Sequence, residues 1–451
     1  MRRLLTGAVL ALILSAGSAA ADKYIIDEPV DDTRVYGVGM RVDVSGKVLT
    51  RGEDNKPLEL PLTVSATLSY RERRLLGLGP AAESFRAVRQ YEQAAVDIEV
   101  AEETTTTQLP EPLKLMVTQG RSSGLELYSL GGLLSPQELE LVTPPCDSLG
   151  FIALLPPAAV DVGEEWTPPA WVAQFLARLE ATTASELKCK LHKVNESAAE
   201  ITFVGKATGA VQGTAAEVAF SGSIDFDLKL KCITGAELQQ TEKREVGAVS
   251  PGLDVAAKLR VIRKPAQVPG RVIEPKVLDI AISAPPASAL QLRFESPWNL
   301  GLLHSRDWHL FQQTDQVAIF RLLDQGLFVA QCNVSPIPTA KPGEHTSEKV
   351  FQSDIQQSLG SRLMALGTDE RLSSAEGYFI YRIPAEGAIG ERKLTWIYYL
   401  IADPSGRQAS VMFAVDTPLV EKLGQRDREF VQSLRFGAPR TTSLLSAPPA
   451  R

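Results

Sequence analysis

Runs in which apolar and polar residues alternate one by one constrain this chain most strongly. From Leu62 to Tyr70 apolar side chains alternate with hydroxyl-bearing ones, and from Ile224 to Cys232 they alternate mainly with charged ones. Because successive side chains of a β-strand point to opposite faces, each run predicts a strand with one apolar and one polar face. Several such strands joined by short turns predict a large, curved antiparallel sheet, resembling half of a barrel.

One segment, residues 135–180, breaks this alternation and predicts a helical insert. Ser135 and Pro136 can begin a short helix, and Trp171, Phe175 and Leu179 are spaced four residues apart, as on one face of a second helix. A sheet with one apolar face must be covered, and these helices are the candidates for its cover. We therefore expect residues 22–264 to form a mostly antiparallel β domain with a few covering helices.

The first residues, 1–21, have the pattern of a secretory signal peptide. Arg2 and Arg3 precede an apolar run, and small residues end at Ala21. This pattern predicts an extracytoplasmic protein, either periplasmic or secreted. No later stretch is long and apolar enough for a transmembrane helix, so we expect no membrane span after removal of the leader.

The charge balance argues against nucleic acid as a partner. The chain has 47 Lys and Arg against 54 Asp and Glu, a formal net charge of −7, and it has no long basic run. Arg71, Arg73 and Arg74 form a small basic cluster at the end of the clearest strand. We interpret this cluster as a solvated strand edge that prevents pairing with other chains.

The four cysteines, Cys146, Cys189, Cys232 and Cys332, are too few and too widely spaced for a disulfide scaffold. The alternations around Cys189 and Cys232 place both sulfurs on apolar strand faces. This leaves two alternatives open, a Cys189–Cys232 disulfide in an oxidising compartment or two unpaired thiols in the core. No Cys and His cluster has zinc spacing, and the sequence predicts neither a metal nor a cofactor.

The composition changes after the first domain. Residues 265–292 are rich in proline and predict an extended linker, residues 293–437 a second domain, and residues 438–451 a disordered tail. The second domain mixes helical and strand patterns and is therefore predicted to be α+β. Its predicted elements are a helix from Ser347 to about Met364, strands at 378–384, 393–402 and 407–415, and a final helix at 426–434.

The second domain resembles the PsbP/DcrB type of domain in its layout and in a few apolar anchors. These are Phe294-Glu-Ser-Pro297, Arg306-Asp307-Trp308, the strand with Trp396, and Phe430-Val-Gln-Ser433-Leu434. The resemblance implies an α-β-α fold and a mostly non-enzymatic role in assembly or in the cell envelope. The first domain is similar, in architecture alone, to half-barrel carriers of the LolA/LolB type, which hold acyl chains between a curved sheet and helices.

Aromatic residues in and near the helical insert predict an apolar pocket between the sheet and its cover. Such a pocket would hold an apolar small molecule or a lipid, because ligand sites are mostly concave and apolar. The alternative is ordinary core packing. The candidate ligand-binding residues are Trp166, Trp171, Phe175, Phe151 and Tyr128.

No arrangement of residues indicates catalysis. Gly120-Arg-Ser-Ser-Gly124 matches the motif around a hydrolase serine, but it lies between two strand-like segments and predicts a hairpin turn. His304, Asp307 and His309 include a candidate base, but in an extended segment the two histidines would lie on opposite faces.

Three hypotheses about function follow. The main one is a non-enzymatic binding or assembly protein that holds an apolar ligand in its first domain and docks an envelope protein through its second. One alternative is an envelope hydrolase with a site near His304 and His309, for which Ser305 or Ser335 would be the nucleophile. The other alternative is a purely structural envelope protein.

Overall fold

The structure is a computed structural model that describes residues 23–52, 56–75, 81–121, 124–374, 376–439 and 443–445. The predicted signal peptide, residues 1–21, lies outside the described residues. We refer to residues 23–292 as the N-terminal half and to residues 293–445 as the C-terminal half.

The N-terminal half consists mainly of long antiparallel strands, as the alternating runs predict, but the run from Ile224 to Cys232 is not one strand, because β10 ends at Asp227 and the chain turns before β11 begins at Cys232. In the described residues they form one open sheet in the order β6-β5-β3-β2-β1-β12-β11-β10-β9-β8-β7, with β4 paired to β3. The strands are β1 (Val35–Arg51), β2 (Pro57–Arg74), β3 (Arg86–Val100), β4 (Glu103–Gln108), β5 (Leu115–Arg121), β6 (Gly124–Ser129), β7 (Glu165–Trp166), β8 (Ala181–Val194), β9 (Ala198–Val211), β10 (Thr214–Asp227), β11 (Cys232–Arg244) and β12 (Gly252–Pro265).

Three short helices lie between β6 and β8 in the chain and cover the concave face. They are α1 (Pro136–Leu141), α2 (Ser148–Ile152) and α3 (Ala170–Ala177). Ser135 caps α1 through a capping box with Glu138, which fits the predicted start of this helix. Helix α3 contacts β6 near one end of the sheet and β8, β9 and β10 near the other, so the sheet curls around the insert. The main apolar core lies between the concave face and these helices.

A smaller apolar core lies on the outer face of β3, β5 and β6. The segment 265–292 is only partly extended, because it contains α4 (Pro275–Ile282) and two short 3₁₀ helices, Gly270–Ile273 and Ala287–Leu290. Val277 and Ala281 of α4 are buried in this smaller core. Pro275 stands at the start of α4, where proline is favourable, so here proline begins a helix and does not keep the chain extended.

The end of the chain returns to the same outer patch. Within the predicted tail, Leu444 donates a backbone hydrogen bond to the carbonyl of Leu130 at 3.0 Å and packs against the smaller core. Residues 440–442 and 446–451 lie outside the described residues. The domain boundaries expected from the sequence stay a prediction.

The C-terminal half has helices on both faces of an antiparallel sheet. This sheet has the order β15-β16-β17-β22-β21-β20-β18, with β19 paired to β20, and a small sheet has the order β13-β14-β23. The elements are β13 (Leu292–Glu295), β14 (Leu300–His304), β15 (Trp308–Gln313), β16 (Ala318–Asp324), β17 (Leu327–Ile337), α5 (Glu348–Leu359), β18 (Leu363–Leu366), β19 (Glu370–Leu372), β20 (Phe379–Ile389), β21 (Arg392–Ala402), β22 (Gln408–Asp416), α6 (Val420–Leu423), α7 (Arg426–Gln432) and β23 (Arg435–Phe436).

Helix α5 packs on one face of the larger sheet, and α6 and α7 pack on the other. The helix predicted from Ser347 to about Met364 is shorter as an α-helix, and a 3₁₀ turn, Gly360–Arg362, follows it. The helix ends at Leu359 because Gly360 adopts φ 53°, and Met364 belongs to β18.

Two hairpin turns form one of several contacts between the halves, and the ion pair of Arg293 with Glu138 forms another. Gly213, between β9 and β10, and Gly326, between β16 and β17, approach so closely that a Cβ atom on Gly213 would lie 2.0 Å from the carbonyl oxygen of Gly326. Arg321 of β16 also donates to the carbonyl of Ala248, between β11 and β12. The C-terminal half therefore contacts the end of the N-terminal sheet at which β10 and β12 begin.

Candidate functional site

The concave face of the N-terminal sheet is not covered along its full length. Beyond the main core, β1, β2, β3 and β12 continue in register, with Val48 opposite both Leu60 and Leu253. On the next pair of strands, Leu62 lies opposite Val100. Because directly opposed residues of neighbouring strands share a face, these five side chains lie on one face of the sheet.

This face is the one that bears the main core. Val44 and Val64, which are cross-strand partners nearer to the helices, pack against that core. Residues an even number of positions apart along one strand have their side chains on the same face of the sheet. The outermost of them are partly exposed and belong to none of the apolar clusters of the described residues. We call this surface the distal apron; it comprises Val48, Leu58, Leu60, Leu62, Val100 and Leu253.

The six side chains of the distal apron are aliphatic, and polar side chains border them on the same face: Thr50 lies opposite Leu58, Glu103 opposite Val100 and Arg244 opposite Leu253. From Leu58 to Leu62 the apron extends about 13 Å along the strand and, across four strands, about 14 Å, from the usual rise and spacing of β-strands. Gly46 lies within it, and a Cβ atom there would come within 2.2 Å of the carbonyl oxygen of Asp254, so the backbones approach closely at this point. The opposite face is polar, with Lys47 and Glu59 paired at 2.7 Å.

The predicted aromatic residues do not lie together. Phe151 and Phe175 are buried in the main core, and Trp166 and Trp171 pack partly against it. Tyr128 lies on the other side of the sheet, in the smaller core. The reason is the alternation within β6, which turns Leu127 to the concave face and its neighbour Tyr128 outward. The five residues therefore cannot line one pocket.

The two tryptophans among these residues have partners within the protein, either other aromatic rings or a backbone carbonyl. Trp171 lies with its ring 5.4 Å from that of Phe85 and 6.0 Å from that of Phe175. Trp166 donates from Nε1 to the carbonyl of Leu154 at 3.0 Å. Two shallow depressions, of about 200 and 370 Å³, lie on the strands β9 to β12 and are lined mainly by polar residues of the outer face, such as Ser221 and Glu237.

A cluster of buried charges fills the opposite end of the concave face. Arg89 of β3 bonds to Glu72 of β2 at 2.8 Å and to Asp147 at the start of α2. Ser148 donates to Glu72 at 2.7 Å. Arg263 of β12 lies with its guanidinium 3.6 Å above the ring of Tyr36. We call this group the buried charge cluster; it comprises Glu28, Asp32, Glu72, Arg74, Arg89, Asp147 and Arg263.

Arg74 belongs to this cluster, so its interpretation as part of a solvated edge was wrong. Its side chain is 2% exposed and lies 3.1 Å from Glu28 and 3.3 Å from Asp32. The signal was present in the sequence, because Glu72 and Arg74 continue the alternation that turns Leu68 and Tyr70 inward. Burial would raise the pKa of Asp32, but hydrogen bonds from Arg34 and Tyr36 outweigh it, and the pKa is lowered.

All four cysteines are buried free thiols. Cys189 lies on β8 and Cys232 on β11, and β9 and β10 separate these strands. Two intervening strands separate the two cysteines by more than the roughly 7 Å between Cα atoms that a disulfide tolerates. The disulfide that the sequence left open is therefore not formed. Burial raises the pKa of the Cys189 thiol to about 12.

The histidines near the start of the C-terminal half do not form a base–nucleophile pair. His304 is 2% exposed, and its ring lies 5.4 Å from that of Phe320. Its Nδ1 atom is 2.9 Å from the carbonyl oxygen of Ser305, and its Nε2 atom has no hydrogen-bond partner among the described residues. Burial lowers the pKa of His304 to about 4 and also lowers that of His309. The geometry gives the hydrolase alternative no support.

The motif Gly120-Arg-Ser-Ser-Gly124 lies at a hairpin, with β5 ending at Arg121 and β6 beginning at Gly124. The two serines between them lie outside the described residues. Within the described part of the chain, no group of three or more His, Cys, Asp and Glu side chains is placed to bind a metal ion. No helix in that part has both the length and the apolar character needed to span a bilayer.

No family model matches the sequence, and a search of curated proteins finds no match either. Among solved structures, CyanoP, a PsbP protein of Synechocystis sp. PCC 6803, matches 34% of this chain over 95% of its own length, with 14% identity and a TM-score of 0.25. Lipovitellin matches 53% of this chain over 26% of its own length, with 8% identity and a TM-score of 0.29. DynF of Micromonospora chersina matches 60% of this chain over 95% of its own length, with 10% identity and a TM-score of 0.17.

These TM-scores are too low for an argument about fold or function. A PsbP protein is among the matches, and the resemblance of the C-terminal half to the PsbP/DcrB type stays a prediction. The similarity of the N-terminal half to carriers of the LolA/LolB type stays a prediction.

Proposed function

We propose that this protein is a non-enzymatic, extracytoplasmic binding protein that holds the hydrocarbon chain of an apolar or lipid ligand on the distal apron. The observation that carries this proposal is the row of aliphatic side chains that continues the core face of the sheet beyond its helical cover. Leu58, for example, is 42% exposed to solvent. Burying such a surface against a chain stabilises a complex by about 25 cal/mol for each Å² of apolar area removed from water.

The chemistry of the distal apron favours a hydrocarbon chain over an extended peptide. β1 lies between β2 and β12, and over the apron its backbone groups are paired within the sheet. Pro57 and Pro61 occupy the part of β2 that extends beyond β3, where they remove backbone donors. An extended peptide would bury its own N–H and C=O groups against aliphatic side chains, with polar side chains only at the border of the apron, at a cost of roughly 1–3 kcal/mol for each group left without a partner.

A second copy of the chain fits this surface less well. The apron measures about 13 by 14 Å from strand geometry, which is roughly 180 Å². Stable protein interfaces bury about 800 Å² on each partner.

Binding of a fluorescent long-chain fatty acid to the full chain, purified without detergent, tests the proposal. The double variant Leu58→Ser, Leu60→Ser removes two apron side chains from a partly exposed site. Val204→Ser is the matched control, because Val204 is 61% exposed on the outer face of β9. We expect the double variant to weaken binding by at least about tenfold, or 1.4 kcal/mol, and the control to bind like the wild type. Equal binding by all three proteins would exclude the distal apron as the site.

A further inference from the structure

A segment without regular secondary structure precedes β1 and closes the buried charge cluster. We call residues 23–34 the N-terminal strap. Tyr24 pairs with Val160 through two backbone hydrogen bonds, of 2.8 and 3.0 Å, and Ile26 is buried in the main core. This pair of bonds is the strap's one β-bridge in the described residues.

Glu28 of the strap lies between two arginines that belong to the sheet. Its Oε2 atom is 3.1 Å from Nη1 of Arg74, and its Oε1 atom accepts a hydrogen bond from Nη1 of Arg263. Oε1 also accepts from the backbone N–H of Ile233 at 2.8 Å. The side chains of Glu28, Arg74 and Arg263 are all no more than 2% exposed.

One carboxylate does not use all the donors that the two arginines present. The Nε atom of Arg74 and the Nε and Nη2 atoms of Arg263 are buried without a hydrogen-bond partner. Glu28 and Asp32 both belong to the strap. Without them, the sheet and its cover contribute three cations, Arg74, Arg89 and Arg263, and two anions, Glu72 and Asp147. The side of the cluster that faces the strap therefore carries a net positive charge.

We propose that Arg74 and Arg263 form an anion-binding site that Glu28 occupies in this structure and that a ligand with a phosphate or carboxylate group can take in its place. Guanidinium groups bind both anions with paired, charge-assisted hydrogen bonds. Displacing the strap breaks no strand pairing of the sheet, although it exposes Ile26, and segments with few backbone hydrogen bonds open locally before the rest of the fold. The site lies about 40 Å along β1 from the distal apron, from the rise per residue between Tyr36 and Val48, and it does not depend on the proposed function.

Thermal unfolding with inorganic phosphate, measured against chloride at equal ionic strength, tests this inference on the full chain. Glu28→Gln removes the competing charge, and Asp27→Asn removes the exposed carboxylate next to it as a matched control. We expect phosphate to raise the unfolding midpoint of Glu28→Gln by several degrees more than that of the control, because a ligand stabilises the folded state that binds it. Equal shifts in the two variants would overturn the proposal.

A second measurement keeps the inference testable if Glu28→Gln does not fold. Hydrogen exchange of the Ile233 amide in the wild type reports whether Glu28 is in place, because that amide donates to its carboxylate. We expect saturating phosphate to speed this exchange several-fold and to leave amides in the middle of β10 unchanged. Exchange at Ile233 that phosphate does not alter would show that the anion does not displace the strap, and this result would also overturn the proposal.

Discussion

The guanidinium group of Arg89, on β3, forms a two-pronged hydrogen bond with the carboxylate of Asp147, the N-cap residue of α2. Nη1 donates to Oδ2 at 2.6 Å, and Nη2 donates to Oδ1. Both side chains are buried, and Glu72 of β2 accepts from Nε of the same arginine at 2.9 Å. Charge as well as apolar packing therefore holds the helical cover on the sheet.

Removing one partner of this pair leaves a charge buried without compensation. We expect Arg89→Leu to lower the free energy of unfolding by about 3–5 kcal/mol, as measured by urea denaturation. Arg41→Leu is the control, because Arg41 pairs with Asp43 on the exposed face of the same sheet and little change is expected there. If the two variants lose the same stability, the pair does not hold the cover.

His304 makes stability depend on pH in a predictable direction. Its pKa falls from 6.5 to about 4 in the folded protein, so between these values the unfolded chain takes up a proton that the folded protein refuses. Stability is therefore lost as the pH falls through this window, by about 3 kcal/mol in total. We expect His304→Phe to flatten the fall in unfolding free energy between about pH 7 and 4.5. The same substitution at the exposed His192 should leave it unchanged, and a wild-type curve without this fall would contradict the account.

One of the contacts between the two halves lies at Gly213; others are the ion pair of Arg293 with Glu138 and the hydrogen bond from Arg306 to the carbonyl of Leu127. A Cβ atom there would meet the carbonyl of Gly326, whereas at Gly390, which also has positive φ, a Cβ atom would meet nothing within 4 Å. We expect Gly390→Ala to show only the conformational cost of roughly 1–2 kcal/mol, and Gly213→Ala to show an additional loss. Limited proteolysis of the turn between β11 and β12 should also become faster in Gly213→Ala alone. Identical behaviour of the two variants would mean that the halves do not depend on this contact.

The strands could be predicted from the sequence because their signal is local. Alternation fixes which face of β2 or β10 is apolar, and the turn-forming residues between strands limit their lengths. The role of Pro275 could not be read in this way, since a proline marks either an extended segment or the first turn of a helix. The partners of α4 come from β3, β5 and β6, more than 140 residues earlier in the chain, and no local pattern names them.

The candidate sites were harder to predict because the position of the distal apron depends on which part of the sheet the helices leave uncovered. The apolar residues of β2 from Leu58 to Leu68 look alike in the sequence, yet the helical cover buries only the inner ones. How far the helices extend over the sheet is set by the tertiary structure and cannot be read from the sequence of β2. For the buried charge cluster, the position of Glu72 and Arg74 on the inward-facing side of β2 is a usable signal, but charged residues are rarely buried, so the sequence pattern favours an exposed interpretation.

Photo-cross-linking with a diazirine-bearing fatty acid, followed by mass spectrometry of the labelled peptides, tests the central claim most directly. We expect the label on β1, β2, β3 and β12 at the distal apron, and we expect unlabelled fatty acid to compete it away. Label on peptides with Trp171 or Phe151 would instead locate the chain under the helical cover. Label confined to the outer face of the sheet, or no label that competes, would contradict the account.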